Sequence, residues 1–321
     1  RQDFAIGVMR GYYDLLINRA VLDNTRTNTE QSVFLRKRSE AMFKIRRAPA
    51  VDVMRAQQQE LAAKNTVSRA ESEFDIAVKR FLITLGIPVD SGVEVTGAVP
   101  GLRPQGMEMD VCIRVALGNR LDVKPVEDRL RDSERRLRTA RQGLLPSADA
   151  YVRADASGTS DSASVRDWED TVSGGVSVTL PLDRRGEMEA VKTAEVAAEQ
   201  AQRAVDETRD SVKVAIVESF SRLVAEEKAV EIEGRNTELA RRRAEYTLMR
   251  FKNGDLSIRD VVEAQNELLS ARNAHVKALV AFELQRLQLL RDMGLLDVAS
   301  DGTLVELPWP EKDGAARAES K

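Results

Sequence analysis

The sequence is short of almost everything that builds a catalytic centre. One cysteine, Cys112, and one histidine, His275, occur in 321 residues. An intrachain disulfide, a multi-cysteine metal site and a histidine-pair metal site are therefore excluded. Cys112 lies in an apolar stretch and reads as a small buried residue. His275 reads as a surface or seam position on a long helix. No phosphate loop, dinucleotide fingerprint or nucleophile elbow is present, so neither an enzyme nor a cofactor is expected. Aromatic residues make up only 4% and prolines number 9, which leaves few large groups for a globular core and few helix breakers. No apolar run reaches 18 residues, so no transmembrane helix is expected. A one-signed charge is missing too. The net charge is −3, from 49 basic and 52 acidic residues that are interspersed. A nucleic-acid partner would call for a basic face or stripe. The short runs Arg36-Lys37-Arg38 and Arg241-Arg242-Arg243 read as solvated helix faces.

What is present is long stretches of Ala, Glu, Arg, Leu and Val without turn formers, the composition of long or coiled helices. The stretches are duplicated. Gly86 and Gly294 each end a helical segment and lie 208 residues apart. At that offset, without a gap, Asn28-Thr29-Glu30 falls on Asn236-Thr237-Glu238 and Phe43-Lys44 on Phe251-Lys252. Asp52-Val53 falls on Asp260-Val261, and Ala56-Gln57 on Ala264-Gln265. Leu61, Ala63, Asn65, Ala70 and Phe74 match Leu269, Ala271, Asn273, Ala278 and Phe282. So long a unit excludes stacked small repeats. Each half contains a helical hairpin. In the second, helix signals run from about Glu187 to Arg250, break at Lys252-Asn253-Gly254-Asp255, and resume from Ser257 to Met293. Ser257 followed by Asp260 reads as an N-cap with an acidic first turn. In the first, Arg46-Arg47-Ala48-Pro49 makes the equivalent break, with Pro49 expected in the first helical turn. An unbroken helix over 187–250 would be roughly 95 Å long and could stand only by packing along its neighbours.

Between Pro146 and Leu182 the pattern changes to a period of two. Ala148, Ala150, Val152, Ala154 and Ala156 share one face, with Asp149, Tyr151, Arg153, Asp155 and Ser157 opposite. After a polar loop and Trp168, Val172, Gly174, Val176, Val178 and Leu180 alternate with Thr171, Ser173, Gly175, Ser177 and Thr179. This is a β-hairpin with one apolar face. Strands of this length, apolar outside and polar inside, fit a transmembrane barrel closed with other chains. Val172, Val176, Val178 and Leu180 would then face lipid, with Trp168 at the membrane–water boundary. Taken alone, the hairpin also fits a soluble ribbon; between helix pairs of this length it has few other uses.

Four motifs in this order and spacing resemble the TolC-type outer-membrane efflux proteins: Ala116-Leu117-Gly118-Asn119-Arg120-Leu121-Asp122 opening a repeat, Leu145-Pro146 entering a strand, Leu180-Pro181-Leu182 leaving the next, and Gly254 through Gln265 at the hairpin tip. The resemblance covers the chain to about Leu296. It implies two repeats of helix, β-hairpin, helix and helical hairpin per protomer, mainly α with a β-hairpin. A homotrimer would form an α-helical tunnel under a barrel of transmembrane strands in the outer membrane of a Gram-negative-type bacterium, most of the chain lying in the periplasm. On this pattern 1–90 is the first helical hairpin, 91–117 a connector, 118–145 the second-repeat helix, 146–182 the transmembrane hairpin, 183–296 the second helical hairpin and 297–321 a polar tail. A first-repeat helix and β-hairpin of roughly ninety residues would precede Arg1.

The implied function is an exit duct of a tripartite efflux pump or type I secretion system, working with a periplasmic adaptor and an inner-membrane transporter. Asp260 and Glu263 fall where family carboxylates ring the periplasmic aperture; as first-turn acids they also suit ordinary helix capping. Phe251 and Leu256 stand where some members carry polar latch partners, and neither can make those bonds. Asp52 and Arg55 hold the corresponding first-repeat places. The tips, with Arg46, Arg47 and Ala48 in one and Lys252, Gly254, Leu256 and Ser257 in the other, would dock the adaptor. A soluble or periplasmic coiled-coil adaptor or structural protein is the competing interpretation. It gives the alternating strands no purpose.

Overall fold

The computed structural model describes residues 2–101, 108–158, 168–179, 183–299 and 304–307. Among the described residues ten elements follow one another: α1 (Gln2–Lys44), α2 (Ala50–Thr84), α3 (Met109–Asn119), α4 (Val123–Gln142), β1 (Ser147–Gly158), β2 (Trp168–Thr179), α5 (Arg185–Asn253), α6 (Ile258–Asp292), β3 (Leu296–Val298) and β4 (Leu304–Glu306). They fall into two compact units, one of Arg1–Arg120 with Val212–Lys321 and the other of Leu121–Ser211.

In the first unit the duplication is visible in the backbone. α2 and α6 are both 35 residues long. Gly86 (φ +70°) and Gly294 (φ +71°) stop them in the same way. After α2 the N–H of Ile87 reaches Leu82 O at 2.9 Å and that of Gly86 reaches Ile83 O at 3.0 Å. After α6 the N–H groups of Leu295 and Gly294 reach Leu290 O and Arg291 O, both at 2.9 Å. These are two Schellman caps, which need a residue that enters the left-handed region without a Cβ penalty.

α1 packs on both α2 and α6. Arg36 on α1 pairs with Glu60 on α2 and with Glu40 one turn along, while Asn24 donates to Asn273 of α6 at 2.9 Å. The seam between α5 and α6 is made of small residues, with Ala240 and Ala244 facing Ala264, Leu268 and Ala271. The Thr237 hydroxyl donates across it to Ala271 O at 3.1 Å. α3 buries Cys112 and Ala116. Its last residue, Asn119, lies against Gly294, where a side chain would come within 3.1 Å of the Asn119 backbone. β3 and β4 pair antiparallel, and β3 packs on α1 and α6. Here Arg286, 3% exposed, sits 2.7 Å from both Glu283 and Glu306. Part of the polar tail expected from 297 onward is thus a strand pair, because Glu306 supplies the second carboxylate of a buried arginine.

The second unit contains α4, the β-hairpin and the start of α5. Two ion pairs tie α4 to α5 in antiparallel sense, Arg209–Glu127 at 2.8 Å and Arg141–Glu195 at 3.0 Å. The helix expected over 118–145 is divided: α3 ends at Asn119 and α4 begins at Val123. Pro125 explains the break. In an uninterrupted helix it would remove a hydrogen bond and collide with the carbonyl of residue 121, whereas a first turn tolerates it. The connector expected over 91–117 correspondingly contains most of α3.

Candidate functional site

The two hairpin tips have the same backbone. Arg46 N–H donates to Phe43 O and Arg47 N–H to Met42 O, both at 2.9 Å. Gly254 N–H donates to Phe251 O and Asp255 N–H to Arg250 O, both at 3.0 Å. Arg46 takes φ +59° and Gly254 takes φ +88°. Pro49 (φ −74°, ψ 156°) and Ser257 (φ −80°, ψ 158°) then open α2 and α6 in extended conformation. Pro49 is therefore an N-cap, one position before the first turn expected for it. Arg46, Arg47, Lys252, Gly254 and Ser257 are exposed, and Ala48 and Leu256 are half-buried.

Behind the tips an apolar cluster joins the repeats: Leu35 of α1, Ala56 of α2, Phe251 of α5, and Ile258 and Val261 of α6, all buried. Phe251 is 2% exposed, whereas its repeat counterpart Phe43 is 47% exposed. Arg38 of α1 donates to Lys252 O at 3.2 Å, a cation on the carboxyl end of α5 where the helix dipole is negative. Nothing in the sequence marked this contact, since Arg38 sits in a basic run that reads as solvent-facing.

The structure gives Asp260 and Glu263 different surroundings. Asp260 Oδ2 accepts the Ser257 hydroxyl at 2.8 Å and the Ser257 N–H at 3.1 Å. Those bonds, the hydroxyl first, hold its carboxyl below the ordinary carboxylate range. Asp260 is thus an ionised helix-capping group. Glu263, one turn later, is exposed and 3.5 Å from Arg243 of α5, which also pairs with Glu267. In the first repeat Asp52 lies 3.7 Å from Arg55. Phe251 and Leu256 make no polar side-chain contact, as their chemistry dictates.

In the second unit β1 and β2 pair over their whole length, from Ser147↔Thr179 to Gly158↔Trp168. The register places Ala148, Ala150, Val152 and Ala154 opposite Val178, Val176, Gly174 and Val172. These four cross-strand pairs make one face apolar, and the next pair on that face, Ala156↔Asp170, brings in an acidic residue toward the loop end. The other face pairs Asp149, Tyr151, Arg153 and Asp155 with Ser177, Gly175, Ser173 and Thr171. The apolar side chains are bare: Val152 is 82% exposed and Val176 74%, with Val172 and Val178 also exposed. On the polar face the Tyr151 ring lies across Gly175, where a Cβ would come within 2.8 Å of it. Trp168 begins β2, and Leu180 lies outside the described residues.

Among the described residues no group of three or more metal-ligating side chains occurs, and no helix is long and apolar enough to cross a membrane. His275 is half-buried on α6, with its ring against Gly234 of α5.

The profile of the outer membrane efflux protein family matches residues 112–295. Solved structures with the same fold include the outer-membrane channel OprN (19% identity, 92% of this chain and 66% of that one, TM-score 0.65). The outer membrane protein VceC from Vibrio cholerae is also similar (16% identity, 92% and 70% covered, TM-score 0.62). So is CusC (13% identity, 91% and 68% covered, TM-score 0.63). The chain spans about two thirds of the length of these structures. No curated protein sequence matches it.

Proposed function

Because the chain belongs to the outer membrane efflux protein family, we propose that it is the larger part of an exit duct, a passive channel that carries small molecules or proteins from the periplasm to the exterior. The observation that supports this best is the β-hairpin with a bare apolar face that leads from α4 into the long helix α5. A two-stranded hairpin leaves its edge N–H and C=O groups unpaired and cannot lie in lipid by itself. Closed with strands from other protomers into a barrel, the same hairpin puts Val172, Val176 and Val178 against lipid and Asp149, Arg153 and Asp155 against water. Trp168 would anchor the membrane boundary. A soluble adaptor or structural coiled coil leaves that face exposed without a partner.

In this proposal three protomers enclose a tunnel in the periplasm. Asp260 and Glu263, repeated by the threefold axis, form rings of negative charge near its lower opening. The tips face a periplasmic adaptor and, through it, an inner-membrane transporter. The decisive experiment is the oligomeric mass and membrane partition of the full-length protein, extracted in detergent. A trimer confined to the outer-membrane fraction supports the duct; a soluble monomer or dimer overturns it. For the carboxylates the expected result is lower cation-over-anion selectivity in single-channel recordings of Asp260→Asn combined with Glu263→Gln. Unchanged selectivity would remove them from the aperture.

A further inference from the structure

The duplication makes each tip a control for the other. Their backbones agree, yet their side chains do not. The second tip turns inward: Phe251 and Ile258 are buried, and Arg250 lies 3.4 Å from Asp255. The first tip turns outward. Phe43, Ile45 and Val51 are all exposed. Lys44, Arg46 and Arg47 lie among them; Lys44 acts on the Glu40 carboxylate one turn back on α1, and neither Arg46 nor Arg47 forms an ion pair among the described residues. The counterparts of Ile45, Arg46, Arg47 and Val51 are Asn253, Gly254, Asp255 and Arg259, so these four side chains are particular to the first tip, whereas Phe43 and Lys44 recur as Phe251 and Lys252.

The backbone adds an independent observation. Arg46 (φ +59°) is the one residue other than glycine with positive φ among the described residues. Its counterpart is Gly254 (φ +88°), which adopts that conformation without a Cβ penalty. A side chain kept where the backbone penalises it, at a position its own duplicate fills with glycine, points to a side chain wanted for function.

We propose that the first tip is the docking end, and that its partner presents a helix turn bearing carboxylates and aliphatic side chains. The carboxylates meet Lys44, Arg46 and Arg47, and the aliphatic groups cover Phe43, Ile45 and Val51. The cations set orientation and encounter rate, and the apolar groups supply most of the affinity. This rests on the tip-docking reading above and names the partner's chemistry.

The test uses the full-length protein in detergent and two synthetic antiparallel helical hairpins as probes. They are identical except at the turn, which carries Glu and Leu in one and Lys and Leu in the other. The acidic hairpin is expected to bind at least about tenfold more tightly, and more weakly as salt is raised. Arg46→Glu with Arg47→Glu reverses the order of the two probes, while Lys252→Glu leaves it unchanged. Arg46→Gly separates charge from folding: it weakens binding of the acidic probe while the thermal midpoint holds or rises. Equal affinity for both hairpins, binding of neither, or a loss produced by Lys252→Glu instead overturns the proposal. The mass and membrane fraction of the same preparation are read separately. A soluble dimer that prefers the acidic probe keeps this inference and sinks the duct. An outer-membrane trimer that binds both alike does the reverse.

Discussion

At the scale of single residues, the duplication offers matched pairs whose environments differ, which isolates packing from residue type. Phe43 and Phe251 are the same residue at the same repeat position, and only the second is buried among Leu35, Ala56, Ile258 and Val261. Phe251→Ala removes a buried ring and leaves a cavity, an expected loss of about 3–5 kcal/mol. Phe43→Ala should cost about 0.5 kcal/mol or less, the usual range for exposed positions. Urea titration of the two variants of the full-length protein, followed by far-UV circular dichroism, measures both; similar losses would contradict the inter-repeat cluster. A second residue-scale effect lies near Arg286. Burial first, and then the neighbouring Glu283 carboxylate, push the Tyr13 phenol up to about 12. An unfolded tyrosine titrates near about 10. The fold thus favours the neutral phenol, and that stabilisation is complete below about pH 10 and lost as the pH rises toward about 12. Spectrophotometric alkaline titration should show a late tyrosine phase that Tyr13→Phe removes. Stability of the Tyr13→Phe variant should fall less steeply over the same interval.

At the scale of elements, periodicity made most of the architecture legible before any coordinates. The alternation over 148–156 and 172–180 fixes which residues share a face, and the ladder from Ser147↔Thr179 carries that pattern across both strands. The break at Lys252–Asp255 and the Ser257–Asp260 cap were readable because Gly254 and a capping acid are local signals. Contacts that join distant elements were not readable. Arg38 on Lys252 O and Arg286 between Glu283 and Glu306 depend on how α1, α6 and β4 pack, and a lone arginine in a helical run carries no sign of its target. The boundary near Asn119 was missed for a related reason, since a proline two residues into a helix resembles one that interrupts it. The hairpin supports the next prediction. Val176→Lys and Val178→Lys place charges on the apolar face, each costing about 2–4 kcal/mol at a bilayer midplane. Ser177→Lys, between them on the opposite face, should be tolerated. Detergent-resistant assembly, read by gel mobility without boiling, should be lost in the first two and kept in the third. Retention in all three would mean that the face never meets lipid.

At the scale of the whole molecule, the proposed trimer needs a surface through which one chain would close into a ring. α1 packs on α2 and α6, α2 also touches α6, and α6 packs on α5, while α2 and the part of α5 from Val212 onward each keep one uncovered side. Each such side carries apolar groups that no neighbour covers. On α2 these are Val51, Met54, Leu61, Ile76 and Ile83, and on α5 from Val212 onward they are Val214, Val217, Ile232, Leu239, Tyr246 and Met249. At about 100° per residue, the first set falls within an arc of roughly 80° and the second within roughly 100°. A stripe that narrow is the seam of a helix awaiting a second helix, not a scatter of surface hydrophobes. A head-to-tail contact, α2 of one protomer against α5 of the next, uses both stripes and closes when the rotation completes a circle. Leu61→Glu or Leu239→Glu should therefore each disperse the proposed trimer, because each leaves a carboxylate facing an apolar partner across the seam. Neither change touches a residue buried within the protomer, so helical content should persist. Sedimentation of detergent-extracted protein gives the assembly state, and circular dichroism of the same sample gives the fold. A trimer that survives both substitutions would place the closing contact elsewhere on the helices.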